Sequence, residues 1–385
     1  MRFHTFVLKN VFRRRVRSSL TVVSMAVAVG AVVALVGISK GFEQSFLAIY
    51  QRQKVDLVIQ QRGVKQKLTS VLEAKLGEQI AKIPGVKQVA SGLVDFTSMD
   101  ELGPVGVLVQ GWETDSPLMK ELNGNILPGG NPLAPDDPNG VLLGKRLAAS
   151  LEKTVGETLK IFDDKTYVVR GIFESNTVYE NGGMVVLLKD LQRFMGRPGQ
   201  VSGFTVVVDK YENKTEIERK AEIERIRGDI AALGSNIEAT PTTEFVNSTN
   251  EIVVIRAISW LTSALGLVIG AVGMLNTMVM SVFERTREIG ILRAIGWGRW
   301  RVVRMILMES VLLSLTGGAV GAIAAVLVTR VLSNQPAVSG MIDSHIAPSV
   351  IGLGFLIALC VGLLGAAYPA YRGAQLLPTE ALRHE

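Results

Sequence analysis

The sequence predicts an α-helical membrane protein with four transmembrane helices and an α+β extracytoplasmic domain inserted after the first. Three observations lead there. Residues 18–39, 257–283, 310–329 and 344–371 form four apolar runs without a charged side chain. About 20 residues of helix cross a hydrocarbon core of about 30 Å, and these runs are continuous rather than alternating, so they are helices and not barrel strands. Arginine and lysine gather at one set of run ends. About 210 residues of mixed strand and helix pattern lie between runs one and two.

Orientation follows from the basic residues in short flanks. Lys9, Arg13, Arg14, Arg15 and Arg17 precede the first run, Arg285, Arg287, Arg293, Arg299, Arg301 and Arg304 separate the second from the third, and Arg372 and Arg383 follow the fourth. The loop between runs three and four has one basic residue, Arg330. Both termini and the arginine-rich loop are therefore expected in the cytoplasm, with the large insertion outside. The first run is too long for a signal-peptide core and no small-x-small site follows it, so it reads as an uncleaved anchor.

The expected organisation is a cytoplasmic amphipathic segment over 1–17, spans over 18–41, 251–283, 305–330 and 345–371, the outer domain over 42–250, a cytoplasmic coupling loop or helix over 284–304, a short external loop over 331–344 and a cytoplasmic tail over 372–385. In segment 1–17, Phe3, Phe6, Val7, Val11 and Phe12 among basic residues suit an interfacial helix; a frayed basic tail is the plainer reading. In the outer domain, strands are predicted over 55–60 (VDLVIQ), from 86, over 105–110 (VGVLVQ), 158–161, 166–173 (TYVVRGIF), 184–188 and 204–208, with a turn at Asp163-Asp164. Helices are predicted over 69–83, ended by Pro84-Gly85, over 145–152 and over 214–233. Residues 123–140, rich in Gly, Pro, Asn and Asp, read as loop. One or two small sheets with helices on a face accommodate this pattern.

The mean hydropathy of +0.31 and the 48% hydrophobic content fit four spans plus one outer domain. The pI of about 9.4 owes much to arginines beside the spans, and without aromatic residues interleaved among the basic runs no nucleic-acid partner is expected. The single cysteine, Cys360, excludes an intramolecular disulfide, so the outer domain must fold on its apolar core, for which its length is ample.

A search for chemistry finds no catalytic, cofactor-binding or metal-binding set. Residues 139–146 (NGVLLGKR) lack the first Gly and the final Ser/Thr of a phosphate loop. His4, His345 and His384 are scattered. Asp343, Ser344 and His345 are adjacent, a spacing that does not build a hydrolase triad. Glu309 follows Arg304 by five residues, about 7 Å of helix, and is expected to reach back to the interface.

Within residues 284–296, Glu284, Arg285, Arg287 and Glu288 alternate in charge, and Ile289, Leu292 and Ile295 form an apolar stripe at i, i+3 and i+6. Such a helix docks by its stripe and is oriented by its charges; repulsion of Glu284 and Glu288 by anionic headgroups disfavours the alternative, a helix lying on lipid. Among the small residues of the spans, Gly266, Gly270, Gly317 and Gly321 allow close helix approach, either along a sliding seam between protomers or in static packing within one chain.

Residues 284–296 (ERTREIGILRAIG), with the continuation through Glu309-Ser310 to Gly317-Gly318 and Gly321, resemble the cytoplasmic loop of ABC-transporter permeases of the MacB/FtsX/LolC type, with DevC-like exporters also similar. VDLVIQ at Val55, IPGVKQVA at Ile83, GVLLGKRLAASLEKTVGETLKI at Gly140 and VVRGIF at Val168 are similar, in order, to the periplasmic core domain of that family. The resemblance implies a non-catalytic permease subunit with both termini inside, in the inner or plasma membrane, working as a homodimer or heterodimer. It implies that Glu284, Arg285, Arg287, Glu288, Ile289, Gly290, Leu292, Arg293, Ala294, Ile295 and Gly296 engage a separate cytoplasmic ABC ATPase dimer. ATP and magnesium would sit on that partner, and ATP-driven closure would move the outer domains by mechanotransmission. It further implies export or extraction of an amphiphile, such as a lipid, lipoprotein, peptide or drug, with a periplasmic membrane-fusion or adaptor protein as a further partner. The alternative is an FtsX-like regulator that passes an ATPase signal to a cell-wall hydrolase.

Overall fold

The computed structural model describes residues 15–64, 70–99, 103–135, 137, 139–161, 165–175, 177–209, 215–333, 335 and 346–375. The N-terminal amphipathic segment before residue 15, the Asp163-Asp164 turn, the three histidines, most of the external loop 331–344 and the tail beyond 375 lie outside the described residues.

In chain order the elements begin with α1 (Arg15–Arg52), β1 (Leu57–Gln61), β2 (Leu72–Glu73), α2 (Leu76–Ile80), β3 (Val86–Met99), β4 (Gly103–Trp112) and α3 (Pro117–Gly124). There follow β5 (Gly140–Gly144), α4 (Lys145–Ser150), β6 (Thr158–Ile161), β7 (Lys165–Phe173), α5 (Val178–Asn181), β8 (Met184–Leu187) and α6 (Leu188–Phe194). The rest are β9 (Gln200–Val201), β10 (Gly203–Val208), α7 (Glu216–Ala232), β11 (Ile237–Pro241), α8 (Thr242–Ser248), α9 (Asn250–Glu284), α10 (Thr286–Ala294), α11 (Arg299–Ser333) and α12 (Pro348–Gln375). The described residues fall into two compact units, one from Met1–Gly41, Ile255–Val331 and Ser344–Glu385, the other from Phe42–Val254 and Leu332–Asp343.

The first unit is helical. Among the described residues, α1, α9, α11 and α12 are the four helices long and apolar enough to cross a membrane. Met25, Val29 and Val33 of α1 pack with Met274 of α9, Leu313 of α11 and Val350 of α12. The span glycines serve this packing. A Cβ at Gly270 would meet Ala28 Cβ at 2.7 Å, one at Gly317 would meet Met25 Cβ at 2.6 Å, and one at Gly321 would run into the Ala26 carbonyl. Gly266 is looser, with Ala28 at 3.9 Å. All four glycines face α1 of the same chain, so at Gly270, Gly317 and Gly321 a partner helix finds the space already filled. Arg299–Arg304, expected within the loop, form the opening turns of α11.

The second unit is built on a nine-stranded sheet in the order β11-β1-β10-β3-β4-β8-β5-β7-β6, with β2 and β9 forming a separate two-stranded ribbon. β4 pairs with β8, and β5 with β7, in parallel; the other pairs are antiparallel. At β5 and β8 the sheet is apolar on both faces. Val141 and Leu143 of β5 and Met184 and Val186 of β8 enter one core, whereas Leu142 and Val185 enter another beside α3. That explains why GVLLG and MVVL are continuous apolar runs, as expected of strands covered on both sides. Ile226 and Ile230 of α7 close the first core. Thr215 and Glu218 form a reciprocal capping box at the start of α7.

The helix expected over 69–83 is corrected to β2 and the five-residue α2. Ser70 Oγ accepts from the Gln61 N–H at 3.0 Å, and the Val71 N–H donates to Gln61 Oε1 at 3.1 Å. These side-chain bonds hold the segment beside β1, where Leu72 and Glu73 pair with Val201 and Gln200 in place of a helical turn. Residues 123 and 124, expected as loop, close α3, whose N-cap Ser116 accepts from the Met119 N–H at 3.3 Å. α5, α6, α8, β9 and β11 were not anticipated.

Candidate functional site

The loop between α9 and α11 folds into one short helix, α10, with a chemically distinct underside and outer face. Its stop is set by Gly296, which takes φ +99°. The Gly296 N–H donates to Arg293 O at 3.1 Å and the Trp297 N–H to Leu292 O at 3.0 Å. This pair of bonds is the Schellman arrangement, which needs a left-handed residue where glycine pays no steric penalty.

The underside is fastened to the chain's own helices. Ile289 is 2% exposed and packs with Val302, Met305 and Ile306 of α11 and Ala370 and Ala374 of α12, with Leu292 against the same cluster. Gly290 is buried. Arg285, the N-cap, donates from Nη1 to Glu309 Oε2 at 2.7 Å, with side chains 7% and 9% exposed, and from Nε to Glu288 at 3.3 Å. Arg293 donates to the Ala374 carbonyl at 3.3 Å, near the end of α12. Glu284 pairs with Arg17 of α1.

Two expectations are corrected here. Glu309 does not reach back to the interface; it stays buried because Arg285 folds over it and supplies both a countercharge and a hydrogen bond. The stripe of Ile289, Leu292 and Ile295 is not one docking surface. Ile289 is buried against α11 and α12, Leu292 is half-buried on the same cluster, and only Ile295 is open, at 69% exposure. The outer face is a different stripe: Glu284, Arg287, Ile291 and Ala294, at i, i+3, i+7 and i+10, are exposed, continuing through Ile295 and Gly296. Trp300, at the start of α11, is 73% exposed beside them in sequence. Periodicity in α10 alone cannot separate the two stripes, since both contain isoleucine. The missing signal lies in α11, where Val302, Met305, Ile306 and Glu309 repeat at helical spacing and offer three apolar partners and one acid. Among the described residues no group of His, Cys, Asp and Glu could hold a metal ion.

Residues 18–223 match the family model of the MacB-like periplasmic core domain, and residues 260–378 match the FtsX-like permease C-terminal domain. An ABC transporter permease of Methanocaldococcus jannaschii is 27% identical over 395 residues, covering 99% of this chain and 97% of that protein. The macrolide export ATP-binding/permease protein MacB of Bdellovibrio bacteriovorus is 25% identical over 417 residues, covering 96% of this chain and 60% of that protein. The ABC transporter permease YknZ of Bacillus subtilis is 37% identical over 123 residues, covering 32% of this chain and 30% of that one. The chain thus spans nearly the full length of the first relative, but less than two thirds of the other two. With four helices able to cross a membrane and a mixed α/β unit inserted after the first of them, the chain belongs to the MacB/FtsX-type permeases of ABC transporters.

Proposed function

We propose that this chain is the permease subunit that receives the work of a separate cytoplasmic ABC ATPase dimer through α10 and passes it to the inserted α/β unit, driving export or extraction of an amphiphile. A second permease protomer completes the assembly, with both termini and α10 on the cytoplasmic side. The observation that supports this reading is the division of α10 into two faces. The underside, held by Ile289, Arg285 and Arg293, makes the helix part of the span bundle. The outer face, with Arg287, Ile291, Ala294 and Ile295, leaves apolar anchors beside a basic residue, a composition by which an amphipathic helix docks on a protein, while Glu284 at the end of α9 is paired with Arg17. Force on the outer face is then delivered to α11 and α12, which hold Ile289, Arg285 and Arg293 of the underside.

The test separates the two faces. The chain is reconstituted in liposomes with candidate ATPases, and ATP hydrolysis is measured for wild type, Ile291→Asp and Leu292→Asp. Ile291→Asp is expected to lower stimulated hydrolysis about tenfold, the scale of a lost interface anchor, with unchanged membrane insertion and thermal stability. Leu292→Asp is expected to lower thermal stability, since a charge enters the cluster under α10. Full coupling in folded Ile291→Asp would remove the outer face from the mechanism.

A further inference from the structure

The last third of α1 carries a stripe unrelated to α10. Phe42, Phe46, Ile49 and Tyr50 fall at i, i+4, i+7 and i+8, on one helix face, and Gln53 follows just past the helix end. The rings interlock: Phe46 and Tyr50 meet edge-on at 5.6 Å, Tyr179 meets Phe42 and Phe46 edge-on at 5.9 and 5.4 Å, and Phe245 meets Tyr50 at 5.8 Å. Alternate residues of two strands complete the enclosure, Val94 and Phe96 from β3 and Leu108, Gln110 and Trp112 from β4. These walls surround a cavity of about 100 Å³ that lies wholly within the second unit.

Two polar atoms of the lining are enclosed without a hydrogen-bond partner among the described residues, Glu251 Oε2 and Gln53 Nε2. The other amide, Gln110, is satisfied, accepting from Trp112 Nε1 at 3.1 Å. Among the described residues the lining contains no lysine or arginine, and Glu251 is its one carboxylate. Glu251 stands in the first turn of α9, where the helix dipole favours an acid. The dipole does not supply the hydrogen bond that Oε2 lacks, and an enclosed polar atom left unbonded costs free energy that a ligand would recover. Aromatic faces attract a cation, and compact ammonium groups are held by such enclosures of rings. Size restricts the guest further, since a cavity of about 150 Å³ holds benzene.

We propose that this cavity is a binding site for a compact organic ammonium group, with Glu251 as its counter-charge and the rings of Phe46, Tyr50, Tyr179 and Trp112 as its walls. Gln53 supplies a donor to an acceptor atom on the body that carries the ammonium. The site goes beyond the coupling reading and does not depend on it, because binding needs neither ATP nor a partner subunit.

The test uses the full chain in lipid nanodiscs at constant ionic strength. Binding is followed by calorimetry and by tryptophan fluorescence, to which Trp112 contributes from the lining. Ethylammonium, which keeps N–H donors and fits the small volume, is compared with ethanol, a neutral molecule of similar shape, and with potassium, which has the charge without the apolar surface or the donors. Saturable binding of ethylammonium, at least about tenfold tighter than either comparator, is expected. Glu251→Gln should weaken the ammonium by about tenfold and leave ethanol within about twofold. Leu108→Phe, which fills the cavity, should abolish ammonium binding. No saturable ammonium signal in the folded wild type, equal affinity for ethanol, or undiminished ammonium binding in folded Glu251→Gln or Leu108→Phe would each overturn the proposal. The wild-type comparison decides the matter even where neither variant folds.

Discussion

At the scale of the residue, Arg285 and Glu309 show how far a sequence can be read. Both were visible as exceptional, an arginine at a loop helix and an acid close to a span interior. Their partnership was not. Position along a helix can be counted, whereas rotation about its axis and the approach of a residue 24 positions away are properties of the packed bundle. The pair predicts an asymmetric mutational pattern. Glu309→Leu alone leaves the Arg285 guanidinium buried without its acid and should cost about 3–5 kcal/mol, whereas Arg285→Met combined with Glu309→Leu should recover most of that loss. Thermal unfolding of wild type, Glu309→Leu and the double variant in one detergent checks this; equal losses in the single and double variants would contradict it. A second prediction concerns Glu121, which lies 2.5 Å from Arg52 in the inserted unit. Burial holds its carboxyl above the ordinary value of 4.5, with Arg52 opposing the shift and Glu180 adding to it. A raised carboxyl pKa means that the folded state binds the proton more tightly than the unfolded chain, so its contribution to stability falls as pH rises from the ordinary value through the folded one. The stability of Glu121→Gln relative to wild type should therefore increase between about pH 4 and pH 7 in denaturation experiments; a flat difference would refute the assignment.

At the scale of the element, short runs rich in β-branched and other apolar residues were the most legible. VDLVIQ, VVRGIF, MVVL and GFTVVV all became sheet strands within a few residues of the expected ends. Elements defined by side-chain bonds were less so. Residues 69–83 have helical spacing, yet Ser70 and Gln61 bind that backbone to β1, a long-range choice that local periodicity does not encode. The capping box at Thr215-Glu218, by contrast, is a signal the sequence prints openly. For α10, the sequence identified the helix and its charges but not which side faces the spans. The glycines of the spans give a test at this scale. Gly321 sits where any Cβ would strike the Ala26 carbonyl and come within 2.9 Å of Gly30 N. Gly321→Leu should separate α11 from α1 and cost about 1–3 kcal/mol or more. Gly298, where a Cβ would find nothing within 4 Å, should accept alanine with little change in melting temperature. Comparable losses at the two positions would mean that α1 and α11 do not meet as described.

For the whole molecule, the class of architecture was readable because membrane crossing is imposed by composition over about 20 residues, a long and redundant signal. Strand order was not readable, since β1 pairs with β10 and β11, more than 140 positions away. The arginine distribution makes a claim about sidedness. In a Cys360→Ser background, a cysteine replacing Lys189 should react with a membrane-impermeant maleimide in right-side-out vesicles, and one replacing Arg287 only after permeabilisation. The reverse pattern would invert the assigned topology. The three-point fastening of α10 bears on how such a molecule could be driven. An ion pair to α11, an apolar plug against α11 and α12, and a hydrogen bond to the last turns of α12 tie the little helix to both neighbours. A grip on its outer side would therefore load two long helices together, not one.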